Sequence, residues 1–220
     1  MSRAFSATHW LGALERAWLL FHLENTAYRF MFKSPPEGEW VALDCETTGL
    51  NVNTDEIISV AAVRICGNRV MTSERLELLV RPERRVSPES VRIHQLREQD
   101  VAKGMDIEEA MEKLMHFIGC RPLVGYYLEF DLAMIDRAVA SLLGGGMGLP
   151  QDRYEVSAMY YDYKYQQLPR NQRDSPFIDL RFATLINDLQ LPQCDAHDAL
   201  NDAGMGALAF VKLRQLLATG

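Results

Sequence analysis

Little in this chain supports sulfur chemistry, membrane insertion or a broad positive surface. Its four cysteines, Cys45, Cys66, Cys120 and Cys194, are scattered over 220 residues without a Cys-x-x-Cys pair. That usage reads as free thiols in a reducing cytoplasm rather than disulfides or a zinc site. No apolar run approaches the ~20 residues of a membrane span. The start, Met1-Ser2-Arg3-Ala4-Phe5, lacks a basic region leading into an apolar core, so no signal peptide is expected and the location expected is cytoplasmic. Positive charge is in deficit, with 23 Lys and Arg against 30 Asp and Glu and a net charge of −7. A broad electrostatic grip on long nucleic acid is therefore not expected.

The residues that are present describe a globular chain. Hydrophobic residues make up 48% and charged residues 24%, enough for one compact core. Residues 9 to about 32 carry Leu11, Leu14, Trp18, Phe21, Tyr28 and Phe32 at spacings of three and four, with Asn25 on the same stripe. This predicts an amphipathic helix, either packed on its own domain or forming a homodimer seam with one polar interruption. Ser34-Pro35-Pro36-Glu37-Gly38 breaks it, so residues 1–38 read as a helical extension and linker, and 39–220 as the main domain.

Three strands are expected near residues 40–45, 57–66 and 69–80, with connections short enough for antiparallel pairing. Ser87-Pro88 opens a helix to about Arg97. Further helices are expected at about 107–118, 131–143, 177–189 and 199–217, with a buried strand over 121–125. Strands first and strand–helix alternation afterwards predict an α/β domain with a mixed sheet flanked by helices.

The chemistry concentrates at Asp44 and Glu46, where Trp40-Val41-Ala42-Leu43 runs into two carboxylates and a turn at Thr47-Thr48-Gly49. Strand side chains alternate, so the two acids share a face. Alone, the pair fits either a strand end with two solvated acids or a site for a hard divalent cation. Two distant segments resolve that choice. One is Leu123-Val124-Gly125-Tyr126-Tyr127-Leu128-Glu129-Phe130-Asp131, and the other is His197-Asp198-Ala199-Leu200-Asn201-Asp202. With Asp44-x-Glu46-Thr47-Thr48-Gly49, Phe130-Asp131 and His197-x-x-x-x-Asp202 in that order, the chain resembles the DEDDh 3′→5′ exonucleases. That superfamily includes polymerase proofreading subunits, RNase T and oligoribonuclease.

The resemblance implies a ribonuclease H-like fold with five strands, and hydrolysis assisted by two Mg²⁺ or Mn²⁺ ions. Asp44 would bridge both ions, Glu46 and Asp202 would hold the water-activating ion, and Asp131 would help hold the other. His197 would take the proton from water, its ordinary pKa of about 6.5 suiting a base near neutrality. Residues five apart on one helix point about 140° apart, so His197 is expected before the helix that carries Asp202. Thr47, Thr48, Gly49, Leu50, Ile93, His94, Tyr127 and Phe130 are the substrate contacts it implies. Many relatives have His-Asn where this chain has Tyr126-Tyr127, and Gln95 replaces the glycine of an Ile-His-Gly-Ile segment.

The reading is a metal-dependent exonuclease that releases nucleoside 5′-monophosphates from the 3′ ends of single-stranded DNA. Trimming of RNA ends or short oligonucleotides is the alternative, and an inactive nuclease-like interaction module is a further one. The negative net charge suits short strand ends gripped locally by bound ions. A DNA polymerase or repair partner is consistent with the family. The little chain beyond the last helix favours a stand-alone enzyme. Asp136, Asp188, Asp195 and Asp198 match no motif position and read as solvated or capping acids. Tyr154, Tyr160, Tyr161, Tyr163 and Tyr165 fit either nucleobase stacking or half-buried packing.

Overall fold

A computed structural model describes residues 14, 16–144, 146–174, 176–192 and 198–219. Residues 16–22 form helix α1, and the expected continuous helix then breaks at residues 23–25. Asn25 causes the break, because its side chain accepts from the Ala27 N–H at 3.2 Å and opens a 3₁₀ helix over Thr26–Phe32. Such local bonds compete with helix continuation. The apolar stripe is split as a result. Leu23, Tyr28 and Met31 join the core, whereas Leu14, Trp18 and Phe21 are exposed. The Asn25 side chain also donates to Leu142 O, tying this segment to its own domain. Leu11 and the rest of residues 9–13 lie outside the described residues.

Five strands form one sheet: β1 (Glu39–Thr47), β2 (Ile57–Cys66), β3 (Arg69–Leu79), β4 (Leu123–Gly125) and β5 (Arg153–Glu155), in the order β3-β2-β1-β4-β5. The β1/β2 and β2/β3 pairs are antiparallel hairpins, while β4 and β5 add in parallel beside β1. Helices follow as α2 (Pro88–His94), α3 (Glu98–Val101), α4 (Ile107–Ile118), α5 (Leu128–Leu143), α6 (Val156–Gln167), α7 (Phe182–Asp188) and α8 (Ala199–Thr219). Strand alternation sends Val41, Leu43 and Cys45 into a core with Leu114, Ile118, Leu132 and Ile135 of α4 and α5. Ala42 and Val124 face Tyr160, Leu185 and Phe210 of α6, α7 and α8. The central strand β1 is thus covered on both faces, and its carboxyl end is where a site can open.

Helices α3 and α6 had no expected counterpart, α5 starts three residues early, and three further elements differ from expectation. The first is α2, which stops at His94 because Gln95 turns left-handed (φ 61°) and donates its N–H to Val91 O. Helix α7 begins at Phe182, after residues 176–181 that form no regular element. The fifth strand lies at Arg153–Glu155 and leads directly into α6. Among the described residues no helix is long and apolar enough to cross a membrane.

Candidate active site

Asp44 and Glu46 project from the last turns of the β1 pleat, on the face that α8 covers. The strand then bends at a register shift between Glu46 and Thr47. Thr47 Oγ1 donates to Gly49 O at 2.6 Å, and Thr48 Oγ1 accepts from the Glu56 N–H at 3.0 Å. Both threonines are buried. At Gly49 a Cβ would lie 2.5 Å from the Asp55 carboxylate, so only glycine fits without a shift. These three residues build the turn, and the exposed Leu50 is the one that reaches the cleft.

Asp202 arrives from the first turn of α8, its N–H bonded to Asp198 O at 2.9 Å. Asp44, Glu46 and Asp202 each bring a carboxylate oxygen within 4.8 Å of the others. Asp131 comes from the first turn of α5 and is fastened beside them, its Oδ1 accepting from the Cys45 N–H at 3.1 Å. His197 and Asp195 lie outside the described residues.

Crowding acids in a partly dry place raises their proton affinity. Burial first, then the charges of Asp131, Glu46 and Asp202, holds the Asp44 carboxyl well above its ordinary range. Burial with the nearby Asp202 and Asp198 lifts Glu46 to about 7. Burial lifts Asp131 to about 8, against the opposing Cys45 hydrogen bond. A divalent cation relieves this repulsion, and an all-oxygen donor set of three to four carboxylates suits a hard ion of the Mg²⁺ or Mn²⁺ type. The residues present fit such an ion.

The acids line an open cleft of about 800 Å³ together with Leu50, Ile93, Tyr126, Tyr127, Glu129, Phe130, Glu155 and Ser157. Of the expected contacts, Leu50, Ile93, Tyr127 and Phe130 therefore face the same space as the acids. His94 does not. It is buried, accepts from the Leu96 N–H at 3.0 Å through Nδ1, and borders a second depression that shares Glu46 with the first. Glu155 and Tyr126 were not among the expected site residues. Glu155 sits on a three-residue strand without periodicity, and its carboxylate accepts both from Ser157 close by and from the Tyr127 and Leu128 N–H groups distant in the chain.

The other acids have structural partners. Asp136 accepts from the Leu149 N–H, Asp188 accepts from the Tyr160 hydroxyl and Lys164, and Asp198 accepts from the Leu200 N–H. Of the tyrosine run, Tyr154 lies on β5 and the other four on α6, where Tyr160 is buried and Tyr163 lies against the same core.

Comparison with known proteins decides the family. The exonuclease family profile matches residues 41–210. The chain belongs to the exonuclease family. It is 35% identical over 176 residues to a DNA polymerase III subunit epsilon-like protein of Rhodobacter capsulatus, covering 79% of this chain and 23% of that protein. It is 25% identical over 181 residues to a PolC-type DNA polymerase III of Thermotoga maritima, covering 82% of this chain and 12% of the polymerase. This exonuclease thus spans a small part of the length of these relatives. Among solved structures, E. coli exonuclease I in complex with a dA16 oligonucleotide aligns with a TM-score of 0.67 and 18% identity, covering 83% of this chain and 43% of that one. Exonuclease X in complex with 5′ overhanging duplex DNA aligns with a TM-score of 0.58 and 23% identity, covering 80% and 91%. These likenesses confirm the ribonuclease H-like α/β fold, a mixed five-stranded sheet flanked by helices.

Proposed function

We propose that this exonuclease removes nucleotides in the 3′→5′ direction from single-stranded DNA, releasing nucleoside 5′-monophosphates. The observation that carries the reading is the convergence of Asp44, Glu46 and Asp202 oxygens within 4.8 Å, with Asp131 fastened beside them in one cleft. The four carboxylates hold two divalent cations, Mg²⁺ or Mn²⁺, in this reading. When bound, such cations polarise the phosphodiester and offset the charge that builds up during its hydrolysis. His197 accepts the proton of the attacking water. Leu50, Ile93, Tyr127 and Phe130 receive the strand end, Thr47, Thr48 and Gly49 fix the turn beside it, and His94 bounds the adjoining depression that shares Glu46.

DNA as substrate draws support from the oligonucleotide and duplex complexes of the structural neighbours and from the polymerase relatives. A DNA polymerase or repair assembly in the cytoplasm is the corresponding partner. Residues 1–38 remain, in this proposal, an extension to a domain spanning 39–220. The test is digestion of end-labelled single-stranded DNA and RNA beside closed circular single strands, with Mg²⁺ or EDTA. Metal-dependent release of 5′-mononucleotides from linear DNA alone is expected. Cleavage of circles would show an endonuclease, and preferential digestion of RNA would overturn the DNA assignment.

A further inference from the structure

Among the described residues that line the cleft, one non-glycine residue has a left-handed backbone. Tyr127 occupies the left-handed region (φ 54°, ψ 36°), which a bulky side chain seldom adopts. Such conformations persist only where surrounding structure enforces them, and they concentrate at ligand sites.

Here the enforcing group is Glu155. Its Oε1 accepts from the Tyr127 N–H at 3.0 Å and its Oε2 from the Leu128 N–H at 2.8 Å. The same Oε1 also accepts from the Ser157 N–H at 2.9 Å and the Ser157 hydroxyl at 2.7 Å. One carboxylate thereby ties the start of α5 to the start of α6 and fixes the turn that presents Tyr127.

The ring so presented is 57% exposed and faces the cleft that the acids line. It is backed by two further rings: Tyr126 lies 4.4 Å away between ring centroids, and Phe182 lies 4.6 Å beyond Tyr126. The Tyr126 hydroxyl donates to Leu180 O at 2.8 Å, which anchors the middle ring. Leu50 and Ile93, also largely exposed, add apolar surface to the same cleft.

We propose that Tyr127 is a stacking platform for a nucleobase of the bound strand end, positioned by Glu155 and braced by Tyr126 and Phe182. The inference rests on the 3′-exonuclease reading above. Of the parts of a nucleotide, the phosphate is drawn to the cations and repelled by bare carboxylates. The uncharged planar base is the part that an aromatic face receives, with little dependence on sequence.

The experiment compares kcat and KM for two single-stranded oligonucleotides, one with natural bases and one abasic at its last two 3′ nucleotides. The full-length chain should favour the natural end roughly tenfold or more in kcat/KM, chiefly through KM. Tyr127→Asn removes the ring but suits the left-handed backbone, so it should fold at least as well and lose that preference. Tyr127→Phe and Tyr127→Trp should restore it. Glu155→Gln, which loses acceptor capacity at one of its two oxygens, should weaken it in part. A folded Tyr127→Asn that keeps the native preference overturns the platform while leaving the exonuclease reading intact. Failure of the native chain to degrade either linear strand overturns both.

Discussion

The Cys45 N–H donates to Asp131 Oδ1 at 3.1 Å, so an acid of α5 is fastened to the main chain between the two acids of β1. An asparagine at 131 can still accept that bond, whereas alanine cannot. Asp131→Asn should therefore keep its thermal midpoint without metal, while Asp131→Ala should lose about 1–3 kcal/mol for the orphaned buried donor. Both should abolish hydrolysis with Mg²⁺. Equal stability of the two variants would show that the bond positions nothing.

Asp44 stands nearest the centre of the mutual repulsion, its carboxyl held up by burial and by the neighbouring Asp131, Glu46, Asp202 and Asp198. Removing it takes away a cation ligand and a source of strain at once. Asp44→Ala should lose activity with both Mg²⁺ and Mn²⁺, while its metal-free stability holds or rises. Native-like turnover in that variant would refute the cation site.

The same crowding sets a pH dependence. Glu46 titrates at about 7 and Asp131 at about 8, both above the ordinary carboxylate range near 4. Between those limits the folded chain holds more protons than the unfolded chain, so metal-free stability falls as pH rises. This stabilisation is fully present below about pH 4 and is lost through pH 7 to 8. In EDTA the midpoint should be several degrees higher near pH 5.5 than near pH 8.5. Added Mg²⁺ should recover much of the loss at the higher pH. A midpoint that climbs with pH in EDTA would contradict the arrangement.

The acids were legible in the sequence because strand alternation alone puts Asp44 and Glu46 on one face, and the matched motifs added Asp131 and Asp202. The β1 to β3 hairpins were legible as apolar runs joined by short turns, β2 being buried along nearly its whole length, and α4 from the helical spacing of Ala110, Met111, Leu114 and Ile118. Glu155 was not, because its role consists of hydrogen bonds to backbone some 28 residues away in the chain. The strand that carries it is too short to show a period. His94 is buried at the end of α2, where the left-handed Gln95 stops the helix, and it borders the depression that shares Glu46 with the cleft. The expected helix over residues 9–32 failed at a single polar residue, Asn25, whose side chain serves as a cap.

Gln95 offers a separate test of backbone strain. Its φ of 61° is easy for glycine and unfavourable for a side chain with a Cβ. Gln95→Gly should stabilise the chain by up to about 1 kcal/mol, the relief being offset in part by a freer unfolded chain. Differential scanning calorimetry should read a rise of a few degrees. A fall would mean that the glutamine side chain contributes contacts that outweigh the strain.

The split N-terminal stripe separates two deletions that a continuous helix would have made equivalent. Residues 16–22 present Trp18 and Phe21 to solvent and are tied down by the half-buried Leu19 and by Arg16, which donates to Met31 O, Lys33 O and Pro150 O. Residues 23–32 instead place Leu23, Tyr28 and Met31 in the core, and Phe30 stacks on His116 at 4.8 Å. Loss of a large core side chain costs about 2–5 kcal/mol, against a total stability of about 5–15 kcal/mol for a domain. Deleting residues 1–22 should therefore shift the midpoint by only a few degrees and reduce aggregation, as read by light scattering. Deleting residues 1–33 should yield a chain that is insoluble or unfolds without cooperativity. Neither deletion removes a cleft acid, so the shorter one should still degrade a linear oligonucleotide. If both deletions unfold the chain alike, the exposed half is packed after all and the division at Asn25 is wrong.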